Sequence, residues 1–276
     1  MKKTSFNIKA SDGVELYIQS FTTENSENSV LLIHGLGEHS GRYNYLIDKL
    51  NNKKISVFTM DLRGHGKSQG KRGHSSSIHQ LLEDIQLFIQ VIKPLTGNQK
   101  RILYGHSMGG SLVINYLIRF SVKNIDGAIL SSPAFKPALT PPKIKLLMGS
   151  LLQHLIPSLT LNNELDFKGL SRDIDVIDNY KNDKLVHDRL SIRLGLDLLK
   201  FGQIALNNAK EYNFPTLIVH GKKDILTSFQ ASKEFSENSG KKVTFIEFEN
   251  AFHEIHNESE KEELLNEIIS WIHLSL

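Results

Sequence analysis

The run Gly105-His106-Ser107-Met108-Gly109-Gly110 sets a serine between two glycines, each two residues away. A serine hydroxyl is a poor nucleophile unless it is lifted clear of its neighbours and offered to a base. A turn sharp enough to lift it leaves room only for glycine at those flanking positions. The strand-like run Arg101-Ile102-Leu103-Tyr104 precedes the motif, and a helix-like run over 111–118 follows it. Strand, Gly-x-Ser-x-Gly and helix in that order predict a nucleophile elbow with Ser107 at its tip. The Met108 N–H, at the first turn of the following helix, is then free to donate to an oxyanion. The plainer alternative is a glycine-rich turn whose serine caps a helix, and the flanking pattern argues against it.

A serine nucleophile needs a base, and the base needs an orienting carboxylate. Twelve histidines compete for the first role, so position along the chain must choose among them. His253 is the first histidine in Asn250-Ala251-Phe252-His253-Glu254-Ile255-His256, a loop after the last strand-like run, with His256 its nearest rival. Asp224 follows the preceding strand-like run in Gly221-Lys222-Lys223-Asp224. The order Ser107, Asp224, His253 is that of an acyl-transfer triad on a doubly wound sheet, whose active groups gather at the carboxyl ends of the strands. Alone, His253 would read as a solvated loop histidine and Asp224 as an ordinary loop acid.

A second oxyanion donor falls to the Leu36 amide in His34-Gly35-Leu36-Gly37, where Gly35 and Gly37 let the backbone approach the developing charge. The same glycines, with Gly41 beyond them, also approach a dinucleotide fingerprint in which Asp61 would meet a ribose and Arg63 a phosphate. Ser40 stands where its third glycine belongs, and the motif follows the third strand rather than opening the fold. The loop Asp61-Leu62-Arg63-Gly64-His65-Gly66-Lys67-Ser68 reads instead as a tight polar turn that pairs charges beneath the site. His65 and His106 read as hydrogen-bonded scaffold. His253-Glu254-Ile255-His256 is one residue short of the helical zinc arrangement, so no metal and no cofactor is expected.

These residues need elements to hold them. Alternation over 15–21 predicts a strand paired with 5–9 across Ser11-Asp12-Gly13, an antiparallel opening. Buried parallel strands are expected over 30–34, 55–60, 102–104, 127–130, 216–220 and 241–248. Helices are expected over 43–50, 77–93 (ending just before Pro94) and 261–276, with a sheet covered on both faces. The rhythm breaks between Phe135 and Asn208. Pro133, Pro137, Pro141 and Pro142 open that stretch, which shows helices over 143–156 and 191–208 and no strand. It reads as a helical insertion: a core of 1–135 and 209–276 with a cap of 136–208.

Composition agrees with a globular enzyme of this size: 276 residues, 39% hydrophobic and 23% charged. The net charge of +3 is interspersed rather than gathered on a basic face, so no nucleic-acid partner is expected. With no cysteine, disulfides, thiolate catalysis and zinc–thiolate sites drop out. The basic N-terminus lacks the apolar run of a signal peptide, and no stretch approaches the ~20 apolar residues of a membrane span, which predicts a cytoplasmic protein.

Together the blocks His34-Gly35-Leu36-Gly37-Glu38-His39-Ser40-Gly41-Arg42-Tyr43, 61–68, 105–110 and His253-Glu254-Ile255-His256-Asn257-Glu258 resemble the monoacylglycerol lipase and lysophospholipase branch of the α/β-hydrolases. Leu170-Ser171-Arg172-Asp173 and Leu185-Val186-His187 resemble motifs of its cap segment more weakly. The resemblance implies an α/β-hydrolase fold: a mostly parallel doubly wound sheet, antiparallel N-terminal strands and a helical cap. It implies hydrolysis of a lipid-like ester, a monoacylglycerol or lysophospholipid, by Ser107, Asp224 and His253 with the Leu36 and Met108 amides. It also makes the insertion a lid over an acyl tunnel. Gly35, Gly37, Leu147 and Leu151 are the expected substrate contacts, and the apolar helix carrying the two leucines could bury both sides or turn one to a membrane surface. A broad-specificity carboxylesterase, thioesterase or aminopeptidase remains open, as does a non-catalytic ligand-binding module on the same fold.

Overall fold

The computed structural model describes residues 1–120 and 122–276. The chain opens with the antiparallel pair β1 (Lys2–Lys9) and β2 (Glu15–Thr22), in register Lys2 with Thr22 through Lys9 with Glu15. Next come β3 (Asn28–Ile33), α1 (Asn44–Asn52), β4 (Ile55–Met60), α2 (Ile78–Thr96), β5 (Lys100–His106), α3 (Met108–Arg119) and β6 (Gly127–Ser131). The intervening segment holds α4 (Lys143–Leu152), β7 (Thr160–Asn162), α5 (Ile174–Asn182), β8 (Arg189–Ser191) and α6 (Ile192–Asn207). The chain then closes with β9 (Thr216–Gly221), α7 (Phe229–Asn238), β10 (Val243–Phe248) and α8 (Lys261–Ser275).

Eight strands form one sheet in the order β1-β2-β4-β3-β5-β6-β9-β10. Every pair from β4 to β10 is parallel, and β2 meets β4 antiparallel. The continuous apolar runs explain this placement: β4, β6 and β9 are buried along their whole length, as strands covered on both faces must be. One face packs on α1 and α8 through Leu46, Ile47, Leu264, Ile268 and Trp271. The other packs on α2, α3, α6 and α7 through Leu81, Ile85, Leu112, Phe201 and Phe235.

Three expectations are corrected. α2 runs through Pro94 to Thr96, because a proline in the last turn removes one N–H whose acceptor, Gln90, is exposed. The segment 136–208 does contain strands: β7 and β8 pair with each other, three residues apiece and outside the main sheet. It also contains α5, whose apolar spacing was too sparse to stand out, with Tyr180 its one buried residue. Within the insertion, α6 is anchored on the core. Asn115 donates to the Phe201 carbonyl at 3.1 Å, and a Cβ on Gly202 would lie 2.0 Å from the Phe135 carbonyl oxygen.

Candidate active site

β5 ends at His106, and Ser107 takes φ 52° and ψ −117°, a left-handed conformation that a side chain rarely adopts. The surroundings enforce it. A Cβ on Gly105 would stand 2.5 Å from the Gly109 carbonyl oxygen, and one on Gly109 would stand 2.3 Å from that of Ile33. Ser107 N donates to the Ser131 carbonyl at 3.0 Å and the Ser107 carbonyl accepts from Ala134 N at 3.0 Å. The hydroxyl thus sits on a turn held from both neighbouring strands, at the wall of a cavity of about 580 Å³.

His253 and Asp224 reach the same place from the loops after β10 and β9. The His253 Nδ1–H donates to Asp224 Oδ2 at 2.7 Å, and both side chains are almost wholly buried. Asp224 Oδ1 accepts from the Leu226 and Thr227 amides at 2.7 and 3.0 Å. Burial opposes charge on Asp224, but His253 and the bonds from His220 and His253 overcome it and hold the carboxyl well below the usual range. Burial likewise opposes the imidazolium of His253, and the Asp224 charge prevails, raising that histidine above its ordinary value. Ser132 Oγ donates to the His253 carbonyl at 2.8 Å, and Gly169 and Leu170 of the insertion accept from the His253 and Glu254 amides. His253 and Ser107 line the same cavity; among the described residues no hydrogen bond joins them, and such links are often long in enzymes without substrate.

Leu36 and Met108 also line this cavity, Met108 at the N-terminus of α3. Gly35 backs onto the serine, where a Cβ would lie 3.2 Å from Ser107 Cβ. Its amide donates to Glu38 Oε1 at 2.6 Å, and that carboxylate also accepts from Tyr43 Oη at 2.7 Å and from Arg42 at 2.9 Å. Arg42 in turn donates to Glu254 at 2.7 Å and stacks on Tyr180 of α5 at 4.6 Å. One guanidinium therefore ties the Gly35 turn, the His253 loop and the insertion together.

Other expected residues fall elsewhere. Gly37 is not part of the cavity wall: its φ of 78° makes a turn, and its carbonyl accepts from His187 N of the insertion at 2.9 Å. Leu147 and Leu151 point outward, 58% and 65% exposed, while Leu146, Met148, Gly149 and Leu152 face the cavity. The reason is the helical period, which brings positions three and four apart to one side. Asp61 is buried with Ser40 N, Ser40 Oγ and Lys67 N as donors, and Arg63 is committed to Asp84 and Asp12 at 2.6 and 2.8 Å. Neither is free for a nucleotide. His106 and His65 bond through Nδ1 to the Ser131 and Arg63 carbonyls at 3.1 and 2.9 Å, as scaffold should, though buried Nε2 of His65 has no partner among the described residues. His256, the rival base, is buried against Tyr43 with ring centroids 4.5 Å apart, and neither of its nitrogens is bonded among the described residues. Two residues near the acid escaped the sequence reading, His220 and Thr227. The only signal was His220 at a strand end four positions before Asp224.

A serine on a left-handed strand-to-helix turn, with an aspartate–histidine pair supplied by later strands of the sheet, defines an α/β-hydrolase. The family model described as serine aminopeptidase, S33, matches residues 24–260, and the chain belongs to that family. The crystal structure of Paleococcus ferrophilus monoacylglycerol lipase is 38% identical, with a TM-score of 0.85 over 94% of this chain and 98% of that one. A Mycolicibacterium smegmatis monoacylglycerol lipase is 29% identical over 263 residues, 94% of this chain and 93% of the relative. An abhydrolase domain-containing protein of Dictyostelium discoideum is 37% identical over 275 residues, 99% of this chain. This chain spans only 29% of that relative's length.

Proposed function

We propose that the chain is a serine ester hydrolase acting on monoacylglycerols, with the two relatives so named in support. His253 Nε2 takes the Ser107 proton as Oγ attacks the ester carbonyl carbon. The Leu36 and Met108 amides hold the oxyanion. Collapse of the tetrahedral intermediate breaks the ester bond, His253 protonates the departing alcohol, and water attacks the acyl-enzyme by the same route. Asp224 keeps the imidazole in the tautomer that accepts at Nε2.

The observation that carries this reading is the cavity above Ser107, whose wall includes Phe135, Leu146, Leu152, Leu198 and Leu226. It falls in the range of small-molecule sites and suits an acyl chain. Its charged lining favours a neutral alcohol over a phosphate headgroup. Among the described residues, Lys145 is the only lysine or arginine in the wall, paired with Glu164 at 2.7 Å, while Glu38 and Glu254 add negative charge. An aminopeptidase would need a free carboxylate for the substrate ammonium. Glu38 and Glu254 are instead committed to Arg42, Tyr43, Gly35 N and Asn257.

Residues 136–208 act in this reading as a cap. Its helix α4 has no buried residue, exposes Ile144, Leu147 and Leu151, and begins with Lys143 and Lys145. That combination suits transient contact with an anionic lipid surface. No helix of the described residues is long and apolar enough to cross a membrane. The test is a panel of monoacylglycerols, lysophospholipids, thioesters, short p-nitrophenyl esters and aminoacyl amides. Monoacylglycerols should give the highest kcat/KM, and Ser107→Ala should lower turnover about 10⁶-fold. A Ser107 that resists fluorophosphonate labelling, or a preference for aminoacyl amides, would overturn the assignment.

A further inference from the structure

We propose that His220 is a positioning residue of the same relay: it fixes the Asp224 carboxylate and sets how strongly that carboxylate acts on His253. This rests on the catalytic reading above. His220 is the penultimate residue of β9, follows the buried run Leu217-Ile218-Val219 and is itself fully buried. An aliphatic side chain would fill such a place without needing partners. The imidazole has two close ones, and Thr227 Oγ1 stands 3.4 Å from its Nε2 as well. Its Nε2 lies 3.0 Å from Asp224 Oδ2, and its Nδ1 lies 2.9 Å from Ser232 Oγ on α7. A carboxylate can only accept, so the proton sits on Nε2 and the Ser232 hydroxyl donates to Nδ1.

The same oxygen, Oδ2, therefore accepts from His220 on one side and from His253 at 2.7 Å on the other, with Thr227 Oγ1 at 2.8 Å as a further donor. Two consequences follow. With Oδ1 already held by the Leu226 and Thr227 amides, the carboxylate plane is fixed whether or not His253 is in place. The charge that His253 feels is also shared with a second imidazole, so its basicity is lower than a carboxylate free of His220 would confer. His253 can then release its proton to the leaving alcohol as well as take one from Ser107.

The experiment compares His220→Asn with His220→Gln. Glutamine can put an amide N–H where Nε2 stands, whereas asparagine mimics Nδ1 and leaves Asp224 without that donor. For His220→Asn we expect kcat to fall about 10- to 100-fold, the scale on which lost outer-shell hydrogen bonds act, with KM nearly unchanged. The acid limb of kcat/KM should move to higher pH. His220→Gln should restore both. If the asparagine variant does not fold, Ser232→Ala, which frees the ring but keeps Nε2, should move the acid limb the same way by less. A folded asparagine variant with unchanged kcat and pH profile overturns the proposal, as does equal impairment of both His220 variants at equal Tm. An unmoved limb in Ser232→Ala overturns it where the asparagine variant cannot be folded. Asp224→Asn separates the two levels: its full activity would sink the triad itself, whereas its collapse beside an intact His220→Asn enzyme sinks only the role of His220.

Discussion

Two kinds of glycine stand around the cavity, one packed behind Ser107 and one in the facing helices. Around the serine, Gly35 and its partners in the elbow have no room for a side chain: the nearest atoms to an added Cβ lie 2.8 Å away at Gly35, 2.5 Å at Gly105 and 2.3 Å at Gly109. Across the cavity, Gly149 in α4 and Gly195 in α6 have room, with nearest neighbours at 3.6 Å from Leu196 and 3.5 Å from Leu190. A glycine inside a helix costs about 0.5–1 kcal/mol relative to alanine, so nothing in the backbone asks for these two. The core glycines are dictated by close approach. Those of the insertion trade helix stability for empty volume and a pliable wall. Reaction geometry is thus built into packing that cannot give, and substrate fit into a wall that can.

The largest effect that would test this contrast is Gly109→Ala. Its methyl group meets the Ile33 carbonyl, so the elbow must shift, at a cost of about 1–3 kcal/mol in stability and with loss of fluorophosphonate labelling at Ser107. Retained labelling at wild-type Tm would show that the turn is softer than its contacts imply. Next in size is Leu147→Asp combined with Leu151→Asp on the outward face of α4. Hydrolysis of monoacylglycerol in anionic vesicles should drop about tenfold or more, in line with the few kcal/mol of interfacial affinity that two buried leucines supply, while a soluble p-nitrophenyl ester is unaffected. Equal losses on both substrates would mean that α4 serves the cavity and not a surface. Smaller still, Gly149→Ala and Gly195→Ala should each raise stability by up to about 1 kcal/mol. Gly195→Leu should shift preference toward shorter acyl chains, read as the ratio of kcat/KM across a chain-length series; an unchanged ratio would free Gly195 of any part in acyl fit.

The same contrast explains what could be read from the chain. Positions fixed by backbone geometry leave one-residue signatures, so Gly105, Ser107 and Gly109 announce the elbow, and buried runs such as 55–60 announce their strands to the residue. Asp224 and His253 follow because strand ends in a parallel sheet gather on one side. The cavity wall in α4 is harder, since a helix apolar nearly all round has no phase to read: Leu147 and Leu151 look as eligible as Leu146 and Leu152. Strands as short as β7 and β8 carry no periodicity at all. His220 and the Arg42 bridge between Glu38 and Glu254 depend on which loops meet in space, which spacing along the chain does not record.

The junction between core and insertion carries a last and smaller consequence, in its response to acid. His187 donates from Nε2 to the Gly64 carbonyl at 3.1 Å and accepts at Nδ1 from Arg189 N at 3.2 Å, so its neutral form is the one that fits. Its ring lies 4.7 Å from that of His65. Burial, then the nearby Arg72 charge, lower His187 from 6.5 to about 4, and burial lowers His65 further. For a histidine lowered on folding, the unfolded chain binds more protons between the two values. The contribution of His187 is therefore full above pH 6.5, declines as pH falls toward 4, and loses nothing more below that, while that of His65 is lost at lower pH still. His253, raised by Asp224, has the opposite sign: its contribution is full below 6.5 and fades as pH rises past its folded value. Acid should loosen the insertion from the core while leaving the His253–Asp224 pair intact. Amide exchange at His187, whose N–H bonds to Gly37, should speed up on going from pH 7 to pH 5 once the intrinsic pH dependence is removed, and His187→Gln should flatten that response. If the Gly37–His187 bond is protected equally at both values, the junction is as unyielding as the elbow, and the division between a rigid core and a pliable wall must be drawn further out, at α4 itself.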